Sequence, residues 1–277
     1  FKDYLSELSV INKYVSIIRK NSPATSGTWK EPSDILIKKE NLKGKIVDAI
    51  NITLTPSGCE WAKEGGCTMC GEWSGSNLGN KIDAQYHIAQ FASAVANSIY
   101  KCHYPWIRIY QEGSYMNPLE VDVFAQEVIL KIASSLKGVK RITIEGKTRY
   151  ITNDVLKLLK NAVAPPVELE VGIGFEAQDE IVRMVCVNKG EVMAQYKKAV
   201  KLLKDNGIKT LRSYSMPVDL SRFDKFGWMI SDEDIWYIPE YLTKVKHFNI
   251  LNSKQEDLLR KADDIEIQAG KLIEWKK

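Results

Sequence analysis

The sequence predicts an α/β protein with a largely parallel β-sheet. Roughly six strand-like segments alternate with helical segments between residues 44 and 252. Apolar runs rich in β-branched residues, such as GKIVDAINITLTP and WIRIYQ, are typical of strands, and segments with helical periodicity follow them. Because the helical segments are long enough for crossovers, the alternation favours parallel strands, either in a doubly wound sheet or in an incomplete (β/α) barrel.

The predicted elements divide the chain into three parts. Residues 1–43 contain one amphipathic helix, LSELSVINKYVSIIRK, and a lead-in loop, and residues 253–277 form a helical tail. Residues 44–252 hold the strand–helix units. The later strands of these units are VKRITIE, VELEVGIGFE, IKTLRSYSMP and KHFNIL, and the helices include AQYHIAQFASAVANSIY, PLEVDVFAQEVILKIASSL, TNDVLKLLKNAV, EVMAQYKKAVKLLKDNG and DEDIWYIPEYLTKV.

The composition is that of an ordinary globular protein, with 44% hydrophobic and 27% charged residues. The net charge of +4 is a mild basic excess. The basic stretches at 137–147 and 197–204 favour solvent-exposed charged surfaces over a nucleic-acid-binding surface. No run approaches the ~18–20 apolar residues of a membrane span, and no signal peptide is recognised. Five cysteines, an odd number in a clustered arrangement, favour a reducing, cytoplasmic setting.

Polar residues gather just after the apolar core of each predicted strand. In parallel α/β folds, ligands bind at the carboxyl ends of the strands. We therefore expect a site at a ring of strand ends, which the cysteine-bearing loop opens. The residues at these positions are Cys59 to Cys70 after the first strand, Gln111 to Ser114 after the second, Glu145 and Lys147 after the third, Glu176 after the fourth, and Arg212, Ser213 and Ser215 after the fifth.

Three of the five cysteines, Cys59, Cys67 and Cys70, lie in the segment GCEWAKEGGCTMCGEW with the spacing C-x7-C-x2-C. A structural zinc site needs four ligands, so a fourth would have to fold back from elsewhere in the chain. A redox dithiol of Cys67 and Cys70 leaves Cys59 unexplained. An iron–sulfur cluster held by three cysteines, with one iron open to a small chelating ligand, explains all three. The residues favour this cluster and leave zinc as an alternative.

The cysteine loop resembles that of radical S-adenosylmethionine (radical SAM) enzymes, in which a cysteine triad follows the first strand of a partial (β/α)6 TIM-like barrel. Its longer spacing is similar to the subgroup related to the radical subunit of elongator. Within that subgroup, GCEWAKEGGCTMCGEW, YQEGSYMNP and VGIGFEAQDEIVRMVCVNKG resemble the family of radical subunits of archaeosine synthase. The resemblance covers about residues 52–216. It implies such a barrel over residues 44–252, with an N-terminal helical extension.

The resemblance also implies cofactors and the residues that bind them. Cys59, Cys67 and Cys70 would ligate a [4Fe-4S] cluster, and S-adenosyl-L-methionine would bind at its open iron. An electron from a donor such as ferredoxin or flavodoxin would cleave the cofactor, and a 5′-deoxyadenosyl radical would abstract a substrate hydrogen. The implied cofactor-binding residues are Glu112, Gly113, Ser114, Glu145, Lys147, Glu176 and Arg212, with Asn188 and Lys189 towards the substrate.

The activity implied by the resemblance is a lyase step on a lysine adduct of a deazaguanine base in tRNA, carried out with a partner synthase subunit. Two segments near the implied substrate, IEGKTRY and YSMPVDLSRF, differ from the sequence pattern of the family. A paralogue that acts on a small amino-acid-like or peptide substrate is therefore the second hypothesis. The third is a zinc-stabilised binding protein without enzymatic activity.

Overall fold

The structure is a computed structural model that describes residues 31–63, 66–67, 80–99, 102–111, 113–176, 183–184, 187–214 and 228–231. The expected N-terminal helix, the helix DEDIWYIPEYLTKV, the strand KHFNIL and the tail at 253–277 lie outside these residues. So do the candidate ligand Cys70 and the candidate cofactor contact Glu112. Within the described residues, no helix has the length and apolar character that crossing a lipid bilayer requires.

Seven described strands form one sheet. They are β1 (Asp34–Leu42), β2 (Lys45–Thr53), β3 (Trp106–Tyr110), β4 (Arg141–Gly146), β5 (Glu168–Gly174), β6 (Lys209–Tyr214) and β7 (Trp228–Ser231). Neighbouring strands from β2 to β6 run parallel, whereas β1 and β7 pair antiparallel with β2 and β6. The carboxyl ends of β2 to β6 therefore lie at one edge of the sheet.

The spatial order of the strands follows their order in the sequence. A doubly wound sheet reverses its strand order at a switch point, and the described strands show no reversal. Consecutive parallel strands joined by helical crossovers are the arrangement found in the wall of a (β/α) barrel. The predicted α/β class with mostly parallel strands is confirmed, and curvature into a partial (β/α)6 barrel stays a prediction.

Helices join the parallel strands. They are α1 (Glu60–Lys63), α2 (Ala84–Ala94), α3 (Val123–Ser135), α4 (Asn153–Ala162) and α5 (Met193–Asp205), with a π-helical turn at Val95–Ile99 and a 3-10 turn at Thr148–Tyr150. The start of α4 is fixed by Thr152, whose hydroxyl accepts the N–H of Val155 at 3.4 Å. One face of α4 then buries Leu156, Leu159 and Ala162 against the sheet and the neighbouring helices.

Alternate residues of the parallel strands form the hydrophobic core with the helices. In β3, Ile107 and Ile109 belong to this core, and Trp106 and Arg108 alternate to the opposite face. There the guanidinium of Arg108 lies 4.2 Å from the ring of Trp106 and pairs with Glu40 of β1 at 2.7 Å. Both faces of β3 are therefore covered, which explains why its sequence shows no clean apolar–polar alternation.

The sequence analysis did not predict the edge strands β1 and β7. β1 lies in the segment assigned to the lead-in loop, so that assignment is wrong for residues 34–42. It forms a hairpin with β2 through Lys43 and Gly44, whose φ values of 54° and 82° are those of a two-residue hairpin turn. The side chain of Asn41 accepts the N–H of Gly44 at 2.7 Å and stabilises the turn.

Candidate functional site

The cysteine turn (residues 57–63 and 66–67) follows β2 and lies against the carboxyl ends of β3, β4 and β5. A contact from beyond each of these strands holds it: Glu120 after β3, Lys147 after β4 and Asn188 after β5. Its two described cysteines, Cys59 and Cys67, are partly exposed. This edge of a parallel sheet is where ligands bind in α/β folds.

Glu120 joins the cysteine turn to the loop after β3. One carboxylate oxygen, Oε1, accepts the backbone N–H of Glu60 and the side-chain amide of Asn117, each at 2.9 Å. The other, Oε2, accepts the side-chain amide of Gln111 at 2.6 Å and the backbone N–H of Ser114 at 2.5 Å. Glu120 is only 2% exposed, and its four hydrogen bonds replace the water that a buried carboxylate loses.

Gly113 is next to this carboxylate and has no room for a side chain. A Cβ atom at Gly113 would lie 2.1 Å from Oε2 of Glu120 and 2.6 Å from Nε2 of Gln111. Glu120 also binds the cysteine turn through its main chain, because the hydroxyl of Ser57 donates to the backbone oxygen of Glu120 at 3.0 Å. Gly113 therefore has a packing role besides the cofactor contact that the resemblance implies.

Lys147 reaches the cysteine turn from the end of β4. Its Nζ atom lies 2.6 Å from the Sγ atom of Cys59, and its backbone N–H donates to the hydroxyl of Ser114 at 3.1 Å. An ammonium group in this position stabilises negative charge on the sulfur. The resemblance implies that Lys147 contacts the cofactor, whereas in this structure its ammonium group contacts Cys59.

The loop after β5 holds the other end of the cysteine turn. The side-chain amide of Asn188 donates to the backbone oxygen of Gly66, next to Cys67, at 2.8 Å. The indole N–H of Trp61 donates to the backbone oxygen of Asn188 at 2.7 Å. Asn188 has a φ of 54°, a left-handed conformation that asparagine adopts more readily than most residues. Gly190 lies two residues after Asn188, and a Cβ atom there would lie 2.7 Å from the ring of Trp61.

A buried ion pair of Lys189 and Glu176 lies over the end of β5. Their charged atoms are 2.9 Å apart, and their side chains are only 11% and 8% exposed. Burial disfavours the charged form of Lys189, but its neighbours Glu176 and Cys67 outweigh that effect and raise the pKa of Lys189 well above its usual value. A Cβ atom at Gly174 would lie 2.6 Å from Glu176 and 2.8 Å from Lys189, so the pair needs this glycine.

Backbone strain also marks this position. Glu176 has a φ of 64°, which is uncommon for a residue other than glycine, asparagine or aspartate. Such conformations cost of order 1–3 kcal/mol and cluster at functional sites, where the surrounding contacts maintain them. The bond to Lys189 is one such contact.

The end of β3 offers a buried hydrogen-bond acceptor. The side chain of Gln111 is fully buried, and its Oε1 atom has no hydrogen-bond partner among the described residues. The backbone N–H of Gln111 donates to Glu145 of β4 at 2.5 Å, which ties the two strand ends together. A buried acceptor without a partner requires an explanation, and the ammonium group of a ligand would satisfy it.

The structure brings most of the predicted site residues together. Cys70 and Glu112 lie outside the described residues, so their roles stay predictions. Arg212 lies in β6, where it pairs with Ile173 of β5, and its role as a cofactor contact also stays a prediction. Contacts made directly, or through Gly66, Gln111 and Glu120, link nine predicted residues: Cys59, Cys67, Gly113, Ser114, Glu145, Lys147, Glu176, Asn188 and Lys189.

The sequence analysis missed Glu120, Trp61 and Glu191. Glu191 is buried and accepts the N–H and the hydroxyl of Thr148 at 2.9 and 2.6 Å and the hydroxyl of Tyr196 at 3.1 Å. It thus joins the end of β4 to the loop after β5. No motif marks these residues. The available signal is that Glu120 and Glu191 each directly precede a valine, two or three residues before a helix begins.

The donor set fits an anionic metal–sulfur centre as far as the structure describes it. Two thiols lie on one turn that is held at both ends, and Lys147 and Lys189 bring positive charge to Cys59 and Cys67. Among the described residues, no three His, Cys, Asp or Glu side chains are grouped to hold a metal ion. The third cysteine of the motif, Cys70, lies outside that part of the chain.

Comparison with known proteins finds relatives at low identity. No family model matches the chain, and no solved structure matches it. An uncharacterized protein of Methanocaldococcus jannaschii is 31% identical over 166 residues, which are 59% of this chain and 45% of the relative.

Two further relatives share one name. A protein of Methanosarcina acetivorans named archaeosine synthase subunit beta is 25% identical over 210 residues, 74% of this chain and 58% of the relative. A protein of Thermococcus kodakarensis with the same name is 27% identical over 191 residues, 67% of this chain and 57% of the relative. The chain spans about half the length of the curated relatives it matches. It is a distant relative of proteins named archaeosine synthase subunit beta.

Proposed function

We propose that this chain is a radical SAM enzyme of tRNA modification. In this proposal it carries out an archaeosine-synthase-like lyase step on a lysine–deazaguanine adduct in tRNA, together with a partner subunit. The names of the two distant relatives support the link to archaeosine synthesis and to a multi-subunit enzyme. The cysteine spacing C-x7-C-x2-C supports the radical SAM class.

One structural observation carries the proposal. The turn that holds Cys59 and Cys67 lies against the carboxyl ends of three consecutive parallel strands, in contact with Lys147 and with the loop of Lys189. Cysteine side chains, positive charge and a buried acceptor thus lie at the edge where parallel sheets bind cofactors. A structural thiol pair would need none of these neighbours.

The residues present suit the proposed cofactors. When bound, a [4Fe-4S] cluster with S-adenosyl-L-methionine at its open iron supplies one-electron cleavage of the sulfonium and a 5′-deoxyadenosyl radical. In the proposal Cys59, Cys67 and Cys70 hold the cluster as thiolates. Lys147 and Lys189 balance the negative charge of the thiolates, because an ammonium group close to sulfur in a partly buried site is weakly screened.

The same strand ends would orient the methionine part of the cofactor. Gln111 has a buried Oε1 atom whose acceptor capacity suits an ammonium group. Ser114 and Glu145 lie beside it and are fixed by bonds to Lys147 and to the backbone of Gln111. Because these side chains are held before the ligand arrives, little ordering is required on binding.

The experiment that tests the proposal measures two products, 5′-deoxyadenosine and the modified nucleoside. The chain is reconstituted anaerobically and incubated with S-adenosyl-L-methionine, dithionite and tRNA that carries the lysine adduct, with and without the partner subunit. Mass spectrometry then measures 5′-deoxyadenosine and the modified nucleoside. We expect both products from the native chain and from Cys102→Ser, which removes an exposed cysteine ahead of β3.

The ligand variants make the test specific. Cys59→Ser, Cys67→Ser and Cys70→Ser are expected to form neither product while remaining folded by circular dichroism. Deoxyadenosine from any of these three variants at the native rate would contradict the ligand assignment. Ferredoxin or flavodoxin replaces dithionite in a second series to identify the class of electron donor.

A second candidate keeps the radical chemistry and changes the substrate. The segments IEGKTRY and YSMPVDLSRF differ from the family text, which favours a paralogue acting on a small amino-acid-like or peptide substrate. Filter binding with tRNA at increasing salt separates the candidates, because phosphate contacts make tRNA binding salt-dependent. Deoxyadenosine formation without salt-dependent tRNA binding, alone or with the partner, would favour the paralogue.

A further inference from the structure

Glu120 connects two parts of the site that are distant in sequence. Glu60, whose N–H it accepts, lies 60 residues before it and directly follows Cys59. Ser114, whose N–H it also accepts, lies only 6 residues before it, in the loop after β3. The two carboxylate oxygens have different partners. Oε1 accepts from the cysteine turn, and Oε2 accepts from the loop after β3.

The hydrogen bonds of Glu120 leave it little capacity for chemistry of its own. A carboxylate has about four lone-pair directions, and Glu120 receives four donors. None of the four donors carries a full positive charge, because two are backbone N–H groups and two are side-chain amides. The carboxylate is thus held by neutral donors and is not part of a salt bridge among the contacts that the structure gives it.

Two neighbours of Glu120 reinforce the same connection. Gly113 leaves the space that Oε2 occupies, since a Cβ atom there would lie 2.1 Å from it. The hydroxyl of Ser57 donates to the backbone oxygen of Glu120, so the cysteine turn is attached to this residue at its side chain and at its main chain. These contacts add to those that join the cysteine turn to the loop after β3.

We infer that Glu120 is a positioning residue that fixes Cys59 relative to Ser114. It touches neither a cofactor nor a reacting atom, and it acts by holding the cysteine turn and the strand-end loop in one arrangement. The importance of that arrangement rests on the proposed function, in which Cys59 is a cluster ligand and Ser114 is a cofactor contact. The hydrogen-bond pattern itself does not depend on that function.

The sharpest variant is Glu120→Gln. Its amide replaces one acceptor oxygen by an NH2 group, which then faces two donors and cannot accept from either. The matched control is Glu191→Gln, because Glu191 is equally buried and also joins two strand-end loops, but it has no bond to the cysteine turn. If Glu120→Gln does not fold, the same measurements are made on Glu120→Asp, which keeps the charge and shortens the reach.

The test uses two readouts on the chain without cluster, kept under anaerobic, reducing conditions. Amide hydrogen exchange follows the N–H groups of Glu60 and Ser114, and mass spectrometry follows the alkylation rate of Cys59 by iodoacetamide. In Glu120→Gln we expect at least one of the two N–H groups to exchange about tenfold faster or more, because its charged acceptor is lost. The alkylation rate of Cys59 should change several-fold, while Glu191→Gln leaves both readouts within about twofold of the native chain.

Each outcome decides the inference. Faster exchange and altered Cys59 reactivity in Glu120→Gln alone support a positioning role. Equal behaviour of Glu120→Gln and Glu191→Gln, with a similar loss of thermal stability, would overturn it and leave Glu120 as an ordinary buried carboxylate. Failure of the proposed function is a separate result. It would show as absent iron and sulfide in the native chain, while the differences in hydrogen exchange and Cys59 alkylation between Glu120→Gln and Glu191→Gln remain.

Discussion

The Nζ atom of Lys147 lies 2.6 Å from the Sγ atom of Cys59, so a basic residue at the end of β4 contacts the first cysteine of the triad. The backbone N–H of the same lysine donates to Ser114, which fixes the start of its side chain. A cation beside a cysteine ligand stabilises the extra negative charge of a reduced cluster. In the proposed function, where Cys59 is a cluster ligand, we therefore expect Lys147 to influence electron transfer more than cofactor affinity.

Lys147→Met is expected to shift the reduction potential of the reconstituted cluster to more negative values. The reduced fraction at a fixed potential should fall about tenfold, because a charge-assisted donor to sulfur is lost. The affinity for S-adenosyl-L-methionine should change by less than about threefold. Redox titration followed by electron paramagnetic resonance and anaerobic calorimetry measure the two quantities, with Lys160→Met on the exposed face of α4 as the control. An unchanged potential with lost cofactor affinity would contradict this assignment.

Removal of one partner of the buried pair of Lys189 and Glu176 is expected to cost much stability. Lys189→Met leaves a buried carboxylate without its cation and should lower the free energy of unfolding by about 3–5 kcal/mol. Adding Glu176→Gln should recover part of that loss. The control is Lys201→Met, whose exposed pair with Asp205 is worth less than about 1 kcal/mol. Denaturant titration gives all three values, and equal losses for Lys189→Met and Lys201→Met would refute the prediction.

His87 is expected to make stability depend on pH near neutrality. It is buried on α2, and its Nε2 atom lies 3.1 Å from the backbone oxygen of Thr55, just before the cysteine turn. Burial lowers the pKa of His87 below its usual 6.5, against smaller opposing effects of Thr55 and Asp122. The unfolded chain therefore binds the proton first as the pH falls, and the stability that His87 contributes above about pH 6.5 declines below it.

His87→Gln tests this pH dependence. The glutamine amide keeps a donor for Thr55 but does not titrate, so the decline in unfolding free energy between about pH 7 and pH 5 should become smaller. Denaturant titrations at several pH values measure the slope. His103→Gln, at an exposed position, serves as the control and should keep the native slope. The same slope in both variants would count against the prediction.

Gly113→Ala tests the packing around Glu120. Its new Cβ atom would lie 2.1 Å from a carboxylate oxygen, so the substitution should lower the free energy of unfolding by about 1–3 kcal/mol. Gly172→Ala in β5 is the control, because the nearest atom to its Cβ would be 3.6 Å away, an ordinary contact, and its cost should stay below about 1 kcal/mol. Equal costs would mean that the loop after β3 adapts freely.

The central strands and their helices could be predicted because their signal is local. WIRIYQ and VKRITIE correspond to β3 and β4, and TNDVLKLLKNAV corresponds to α4, since β-branched runs and helical periodicity are visible in short windows. β1 was missed because its polar composition resembled a loop, although the Lys43–Gly44 pair follows an alternating segment. β7 was missed because it has only four residues, too few to show a clear strand pattern.

That the candidate residues lie at one edge of the sheet could be predicted, but the contacts between them could not. Parallel topology puts the residues after each strand at one edge, which is why Cys59, Ser114 and Lys147 meet. Glu120 was missed because it lies nine residues after Gln111 and two of its donors are backbone N–H groups, which leave no mark in the sequence. The contact of Lys147 with Cys59 spans 88 positions and depends on side-chain direction.

The content of iron and acid-labile sulfide in the anaerobically reconstituted chain tests the central claim most directly. A [4Fe-4S] cluster predicts about four iron and four sulfide per chain, in the native protein and in Cys102→Ser alike. Both values should fall strongly in Cys59→Ser, Cys67→Ser and Cys70→Ser. One zinc ion per chain without iron or sulfide would contradict the account.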